Sequence, residues 1–261
     1  EAEAGAEEGA DAEAGAEAVP ASDPGAAGPP PFTPPPPLQG TLRDLVSAWR
    51  MRALSNFEYL LHINRLAGRR WGDRAFHTVL PWVIDMTERP EEGGGGWRDL
   101  GKSKWRLAKG DQQLDFTFTS SESPHHISDD CLSELTVAIY KARRLPREEL
   151  QRVVRAVFIP NEYPGTMERL YSWSPDDCIP EFYCDPEVMA STHQEMADLS
   201  PPSWAASREE FVSMHRAALE SERVSQQIHR WVDLVFGCEL TGEAAVAAKN
   251  VPLPPDPGVM R

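Results

Sequence analysis

The chain has 261 residues and a formal net charge of −15 at pH 7, with 41 acidic against 26 basic side chains. This acidic balance argues against nucleic acid as a partner and against a polybasic membrane anchor, because both need a basic face. No run of about 18 apolar residues predicts a transmembrane helix, and residues 1–15 lack the hydrophobic region of a signal peptide. The four cysteines include no C-x-x-C pair, which favours reduced thiols in the cytosol.

Residues 1–40 have a composition unlike the rest of the chain. They contain eight acidic residues, no Lys or Arg, and two proline runs, Pro29–Pro31 and Pro34–Pro37. Too little apolar surface is present to offset the loss of chain entropy on folding, so we expect a disordered acidic and proline-rich linker. Residues 252–261 are predicted to be a second proline-rich linker, and residues 41–251 to form one domain.

Two helices are predicted at the start of this domain. Apolar residues at helical spacing indicate the first over residues 41–54, and Ser55 with Glu58 forms a capping box that begins the second. Gly68 lies where the second helix needs a left-handed residue to end. The apolar run from Thr78 to Met86 then predicts a buried extended segment.

Arginines are concentrated around this stretch: Arg52, Arg65, Arg69, Arg70 and Arg74. Three acids occur in the same segment: Asp44, Glu58 and Asp73. Their presence favours buried ion pairs within the segment over a surface for an acidic partner. Arg70 in particular is expected to be an internal tie whose charge reversal lowers stability.

The middle of the domain gives weaker signals. Residues 97–111 show no clear period, and residues 120–126 are polar and loop-like. Ser128 or Asp129 is predicted to cap a helix that ends at basic residues, and Pro146 to be the first residue of the next helix.

The C-terminal part begins with a short aromatic stretch punctuated by prolines, residues 178–189, for which we expect irregular but buried chain. Ser207 with Glu210 forms another capping box. A further helix starts near Val224 and ends at Gly237, and residues 243–249 form one more. Most of the eight tryptophans are expected to be core anchors.

The stretch from Gly96 to Ser103 matches the Walker A pattern of phosphate-binding loops letter for letter. In such a loop the lysine, here Lys102, reaches the terminal phosphates, and the serine binds magnesium. The geometry requires a buried strand before the loop and a long helix after it. The preceding ERPEEGGG and the following WRLAKGDQQLD indicate neither, so a nucleotide site is not favoured.

Other constellations give no clear chemical site. His125, His126 and Cys131, or His193 and Cys184, are the candidates for metal binding, but their spacing favours ordinary loop histidines. Cys178 and Cys184 lie in an apolar context that would keep a thiol protonated and inert. The acid pairs Asp129/Asp130 and Asp176/Asp177 are expected to be helix caps or turns. No catalytic set is predicted.

Six ordered segments between residues 41 and 251 resemble the BEACH domain, named from the beige and Chediak-Higashi proteins. They are SNFEYLLHINRLAGRRWGD, VLPWVI, WRDLGK, IPEFYCDPEVM, PPSWA, and FVSMHRAALESERVSQQIHRWVDLVFG followed by TGEAAVAAKNV. The chain departs from the family near TFTSSESPHHIS, where most members carry a glycine-histidine-tyrosine-serine segment.

The resemblance implies a mainly α fold in which helices pack around a core of extended segments without regular sheet pairing. It implies no catalysis, and neither a metal nor a cofactor is expected. The candidate structural or interaction residues lie in the matching motifs: Asn56, Glu58, Asn64, Arg69, Arg70, Trp82, Arg98, Asp99 and Trp231.

The resemblance also implies a function. Family members are scaffolds in endosomal traffic and autophagy, and the members most similar to this chain restrain endosomal phosphatidylinositol 3-kinase activity. The expected partners are therefore a WD-repeat protein and phosphatidylinositol 3-kinase complex subunits, and not nucleic acid. The expected location is cytoplasmic, peripheral on early and late endosomes and autophagosomes, through the full-length protein. The alternatives are a nucleotide-binding enzyme that uses Gly96–Ser103, and a lipid-binding module.

Overall fold

The computed structural model describes residues 41–91 and 93–254. The linker predicted over residues 1–40 lies outside the described residues, as do residues 255–261 of the second predicted linker. In the part of the chain that is described, no helix is both long and apolar enough to cross a membrane.

The described residues form eleven α-helices, α1 to α11, with these bounds: Leu42–Arg50, Asn56–Leu66, Lys104–Lys109, Asp111–Ser120, Glu134–Tyr140, Arg147–Val153, Met167–Trp173, Arg208–Glu220, Glu222–Ser225, Ile228–Phe236 and Gly242–Ala248. Short 3₁₀ turns occupy Pro160–Glu162, Pro180–Tyr183, Pro186–Met189 and Cys238–Leu240. Extended chain meets only in isolated bridges within the described ranges: Leu80 with Cys178, Ile84 with Trp97, Ile127 with Pro252, and Thr166 with Ser200. The predicted mainly α fold without regular sheet pairing is confirmed.

The predicted start of α2 is confirmed in atomic detail. The Ser55 hydroxyl accepts a hydrogen bond from the Glu58 amide, and the Glu58 carboxylate accepts one from the Ser55 amide. Such a cap stabilises a helix by about 1 kcal/mol. Gly68 follows the helix with φ of +85°, the left-handed conformation predicted for it. The first helix ends at Arg50, earlier than predicted, because the chain reverses at left-handed Arg52.

The core is built on the extended run predicted over residues 78–86. Leu80 pairs with Cys178 in one antiparallel bridge, and Ile84 pairs with Trp97 in another. Trp82, fully buried between these two bridges in the chain, packs against aromatic rings at centroid distances of 5.5 to 5.8 Å: Tyr140, Tyr171, Phe182 and His215. Helices therefore surround a central aromatic core crossed by extended chain.

Two element boundaries in the middle of the domain were predicted wrongly. The helix expected from Ser128 or Asp129 is α5, which begins at Glu134 and is capped by Ser133. Pro146 is the N-cap of α6 and not its first helical residue.

Helices α3 and α4 were not predicted at all. They meet at Gly110, whose φ of +81° turns the chain between them. Only Leu114 is buried in α4, and only Lys104 in α3. Neither helix therefore shows the apolar stripe on which a sequence prediction depends.

The helix expected from Val224 to Gly237 is divided into α9 and α10 by a break after Ser225. The second helix ends at Gly237 as predicted. A Cβ atom at this glycine would lie 2.8 Å from Cα of Asp233, so a larger residue would force the backbones apart.

Candidate functional site

Two of the motif residues, Arg98 and Trp231, meet at the buried carboxylate of Asp177. Arg98 and Asp177 form an ion pair, with side chains 0% and 4% exposed. Trp231 donates from Nε1 to Oδ2 of the same Asp177 at 3.0 Å. Arg98 also donates to the carbonyl oxygens of Trp82, at 3.2 Å, and of Lys102, at 3.3 Å. This cluster ties the extended run, the segment after it and α10 together.

The surroundings of Arg98 favour its charged form. Burial alone would lower the pKa of Arg98, but the charge and hydrogen bond of Asp177, together with smaller contributions from Tyr171 and Tyr183, outweigh it and raise the pKa. Nearby, burial and the charge of Arg98 lower the pKa of Lys104 to about 8. Lys104 Nζ donates to the carbonyl oxygens of Tyr171 and Ser174, both at 2.9 Å. These cations bind carbonyl groups and a carboxylate within the domain.

Asn64 fastens α2 to the extended run. Its amide nitrogen donates to the carbonyl oxygens of Leu60, at 2.9 Å, and of Val79, at 2.8 Å. Its amide oxygen accepts from the Val79 backbone nitrogen at 2.8 Å. Since Val79 is completely buried, this one side chain satisfies both polar groups of a backbone unit that has no sheet partner.

Asn56 fastens the other end of α2 to the neighbouring helices. Its Oδ1 accepts from Trp49 Nε1 at 2.7 Å, and its Nδ2 donates to the Leu219 carbonyl at 2.7 Å and the Ser225 hydroxyl at 2.9 Å. Its backbone amide donates to the Glu220 carboxylate at 2.7 Å. Asn56 thus joins α1, α2, α8 and α9.

The two adjacent arginines of the corner have different environments. Arg69 is buried, donates to both carboxylate oxygens of Asp130 at 2.6 and 2.5 Å, and reaches the His77 carbonyl at 3.2 Å. Arg70 is exposed, and among the described residues only its backbone is bonded, its amide to the Phe76 carbonyl and its carbonyl to the Asp73 amide. The prediction that Arg70 is an internal tie is therefore wrong, and Arg69 has that role.

The arginines also pair at longer range than expected. Arg52 forms an ion pair with Glu222, and Arg74 pairs with Glu149 at 3.1 Å. The three acids predicted as their local partners accept hydrogen bonds from backbone amides instead: Asp44, Glu58 and Asp73. The prediction of ion pairs confined to the segment is wrong, because caps and turns use the nearby carboxylates.

A second buried polar cluster surrounds Glu181. Its carboxylate accepts from Trp71 Nε1 at 3.0 Å and Lys141 Nζ at 2.9 Å, and lies 3.3 Å from His77 Nε2. The other ring nitrogen of His77 accepts from the Gly72 amide at 3.1 Å, which leaves Nε2 as the donor to Glu181. Burial alone would raise the pKa of Glu181, but the interactions with His77 and Lys141 outweigh it and lower the pKa to about 2.

Each of these clusters includes residues of the sequence motifs, and a comparison with known families supports the resemblance. The sequence profile of the Beige/BEACH domain matches residues 47–255. The chain belongs to the BEACH family.

Relatives of this BEACH domain occur in plants and animals. The chain is 61% identical to Protein GFS12 of Arabidopsis thaliana over 206 residues, which are 78% of this chain and 13% of the relative. It is 51% identical to human WD repeat-containing protein 81 over 228 residues, 82% of this chain and 12% of that protein. It is 43% identical to Suppressor of organelle fusion 2 of Caenorhabditis elegans over 212 residues, which cover 81% of this chain and 15% of that protein. The chain thus spans a small part of each of these relatives.

The Walker-like stretch of the BEACH domain has its polar groups engaged internally. Asp99 Oδ1 accepts from the Gly101 amide at 2.9 Å, and the Asp99 carbonyl accepts from the Lys102 amide at 3.3 Å. Lys102 Nζ lies 3.7 Å from the Asp99 carboxylate. The Ser103 hydroxyl accepts from the Arg106 amide as the cap of a six-residue helix. These contacts do not form a phosphate cradle.

The first glycine of that stretch has a packing reason of its own. Gly96 has φ of +77°, and a Cβ atom there would lie 2.5 Å from the Glu88 carbonyl oxygen. Its neighbour Trp97 forms the bridge to Ile84. Glycine is therefore required here by close approach of the backbone, independently of any ligand.

The remaining sites considered from the sequence are structural. Burial raises the pKa of the Cys178 thiol and raises that of Cys184 to about 12, as expected for inert cysteines. His126 stacks on Phe118 at 4.4 Å, and His193 Nε2 lies 3.1 Å from a backbone carbonyl. No group of three or more His, Cys, Asp or Glu side chains suited to a metal ion occurs within residues 41–91 and 93–254.

Sequence reasoning missed the acids at the centre of these clusters. Asp177 was expected to be a cap or turn residue together with Asp176, which is wrong: Asp177 pairs with Arg98, and Asp176 accepts from the Ser133 amide 43 residues away at 2.9 Å. Glu181 was not singled out. The sequence did contain a signal for Glu181: it is a carboxylate within an apolar, aromatic segment that was expected to be buried. A buried carboxylate needs hydrogen-bond or charged partners, so Glu181 could have been predicted to be the centre of a polar cluster.

Proposed function

We propose that this BEACH domain is a non-enzymatic scaffold domain of a larger protein that acts in endosomal trafficking and autophagy. The observation that carries the proposal is the internal use of the polar motif residues. Arg98 and Trp231 both bond the buried carboxylate of Asp177, and Asn56 and Asn64 satisfy backbone groups. Side chains committed in this way maintain a rigid framework for partner binding, and they have no capacity left for acid–base or nucleophilic chemistry.

The finer proposal is that the full protein restrains endosomal phosphatidylinositol 3-kinase activity. Its partners would be a WD-repeat protein and subunits of the kinase complex, and it would lie peripherally on early and late endosomes and autophagosomes. Two similarities support this direction. One relative is a WD repeat-containing protein, and another is named as a suppressor of organelle fusion. Both relatives are much longer than this chain, so other domains of the full protein would contribute to partner binding and to membrane association.

A binding and activity experiment tests the proposal. The 261-residue chain is immobilised and presented with purified phosphatidylinositol 3-kinase complex subunits, and lipid kinase activity is measured with and without the chain. We expect retention of at least one subunit and a fall in kinase activity. Arg98→Met, which disrupts the framework, should reduce both effects. Absence of binding by a chain that is folded by circular dichroism would overturn the kinase partnership.

A further inference from the structure

A cavity of about 270 Å³ lies where the corner after α2 faces α5 and α6. Its apolar wall comes from these two helices and their connection: Val137, Ala138, Leu145, Pro146 and Val153. His77 and Lys141 line it as well, and both are bonded to buried Glu181. The cavity is therefore a preformed concave site with an apolar wall and a fixed polar base.

The rim of this cavity carries more acid than base. Asp73, Glu134, Glu148 and Glu149 lie on it, together with Arg74. Arg74 is paired with Glu149, and Arg152 bonds both Glu134 and Glu149 at 2.8 Å. The two arginines offset two of the four acids, which leaves a net charge of −2. Among the described residues, Asp73 and Glu148 form no salt bridge.

We infer that this cavity binds a lysine or arginine side chain from an extended segment of a partner protein. The aliphatic stem of such a side chain would lie along Val137 and Val153, and its cationic head would meet Asp73 and Glu148. Long basic side chains combine an apolar stem with a charged end in this way. The inference rests on the proposed scaffold function and names the chemistry of one segment that the scaffold holds.

The charges around the cavity disfavour an anionic ligand. An anion such as an inositol phosphate head group would need free cations, but Arg74 and Lys141 each face a carboxylate within 3.1 Å. Entry of a phosphate would break these pairs and meet a rim of net negative charge. A basic side chain, in contrast, adds the missing positive charge without displacing any existing contact.

The experiment uses two synthetic peptides of nine residues. One has a single arginine in a Gly/Ser background, and its twin has citrulline, which has the same shape without the charge. Each is titrated into the methyl-labelled 261-residue chain at low salt, and NMR shifts of Val137, Ala138 and Val153 are followed. We expect saturable shifts with the arginine peptide that weaken as salt is raised, and none with citrulline.

A matched pair of variants locates the effect. Glu148 and Glu243 are both exposed second residues of seven-residue helices, α6 and α11, but only Glu148 lines the cavity. Glu148→Arg should weaken binding by about fivefold or more, while Glu243→Arg should leave it unchanged. Val153→Phe, which fills the cavity, should abolish the shifts in a chain of unchanged fold.

The inference would be overturned by absence of methyl shifts, by equal shifts with citrulline, or by equal weakening by Glu148→Arg and Glu243→Arg. Inositol hexakisphosphate that produces the same shifts would also overturn it. Because the kinase complex takes no part in these titrations, failure here leaves the kinase proposal standing. Arginine-peptide binding together with a negative kinase experiment would instead retain the cavity and reject that partner.

Discussion

Arg98 and Asp177 are 79 residues apart in the chain and form an ion pair at the centre of the domain, where both side chains are almost completely buried. Trp231 donates to Asp177 and the Trp82 carbonyl accepts from Arg98, but Nε of Arg98 has no hydrogen-bond partner among the described residues. A buried ion pair gives little net stability over an apolar replacement, but removing one partner leaves a charge without its counter-charge in the interior.

The first prediction concerns this pair. Arg98→Met should lower the free energy of unfolding by about 3–5 kcal/mol, because Asp177 is left buried without its counter-charge. The double variant Arg98→Met with Asp177→Leu should recover part of the loss. Chemical denaturation measures both. Arg52→Met, at an exposed pair, is the control and should cost about 1 kcal/mol or less. Equal costs at the two sites would contradict the assignment.

The second prediction concerns Asn64. Asn64→Ala should lower the free energy of unfolding by about 2–4 kcal/mol, because the Val79 amide and carbonyl lose their partner inside the core. The Val79 amide should also exchange its hydrogen faster. Asn161→Ala, at an exposed position, is the matched control. Unchanged exchange at Val79 would show that this side chain does not hold the extended run.

Local features of this fold could be predicted from the sequence, whereas the long-range partners of the buried arginines could not. The capping box at Ser55 was predictable because its partner, Glu58, is three residues away. The buried run containing Val79 was predictable from its apolar composition. The partners of Arg98 and Arg69 lie 79 and 61 residues away, and one sequence contains no signal that selects them from the many acids present.

The third prediction concerns pH. His215 is completely buried, donates from Nδ1 to the Phe182 carbonyl at 3.1 Å, and has no partner for Nε2 among the described residues. Burial lowers its pKa from 6.5 to about 3. The unfolded chain therefore binds this proton more readily between these values. Stability is retained above pH 6.5 and falls as the pH drops towards 3, by on the order of 3 kcal/mol at about pH 4.5.

His215→Phe tests this sign directly. The variant loses one hydrogen bond, so it should be less stable by about 1 kcal/mol at pH 7. Its stability should then fall less steeply between pH 6.5 and 4.5, measured by urea denaturation at each pH. His229→Phe, at an exposed position of α10, should leave the slope unchanged. A parallel pH dependence in wild type and His215→Phe would contradict the prediction.

The fourth prediction concerns the Walker-like stretch. Ser103→Ala should lower stability by about 1 kcal/mol, because its hydroxyl caps α3. Lys102→Ala should change stability by less than about 0.5 kcal/mol, because within residues 41–91 and 93–254 its amine contacts only half-exposed Asp99. We expect no micromolar binding of fluorescent ATP or GTP by the wild-type chain or by either variant. Micromolar, magnesium-dependent nucleotide binding that is lost in Lys102→Ala would restore the enzyme hypothesis.

The last prediction separates the adjacent arginines of the corner. Arg69→Glu should lower the free energy of unfolding by about 3 kcal/mol or more, because it places like charges together and leaves the His77 carbonyl without its donor. Arg70→Glu should change it by less than about 0.5 kcal/mol, since that side chain is exposed. Thermal and urea denaturation of the two variants, side by side, measure the difference.

The same pair also distinguishes framework from surface in the binding experiment. If Arg69→Glu weakens retention of kinase subunits only in proportion to its unfolded fraction, Arg69 acts through the fold. If Arg70→Glu remains fully folded but loses retention, its exposed guanidinium belongs to the partner surface. A destabilised Arg70→Glu with a stable Arg69→Glu would reverse the assignment. The assignment rests on the hydrogen bonds from buried Arg69 to Asp130 and on the exposure of the Arg70 side chain.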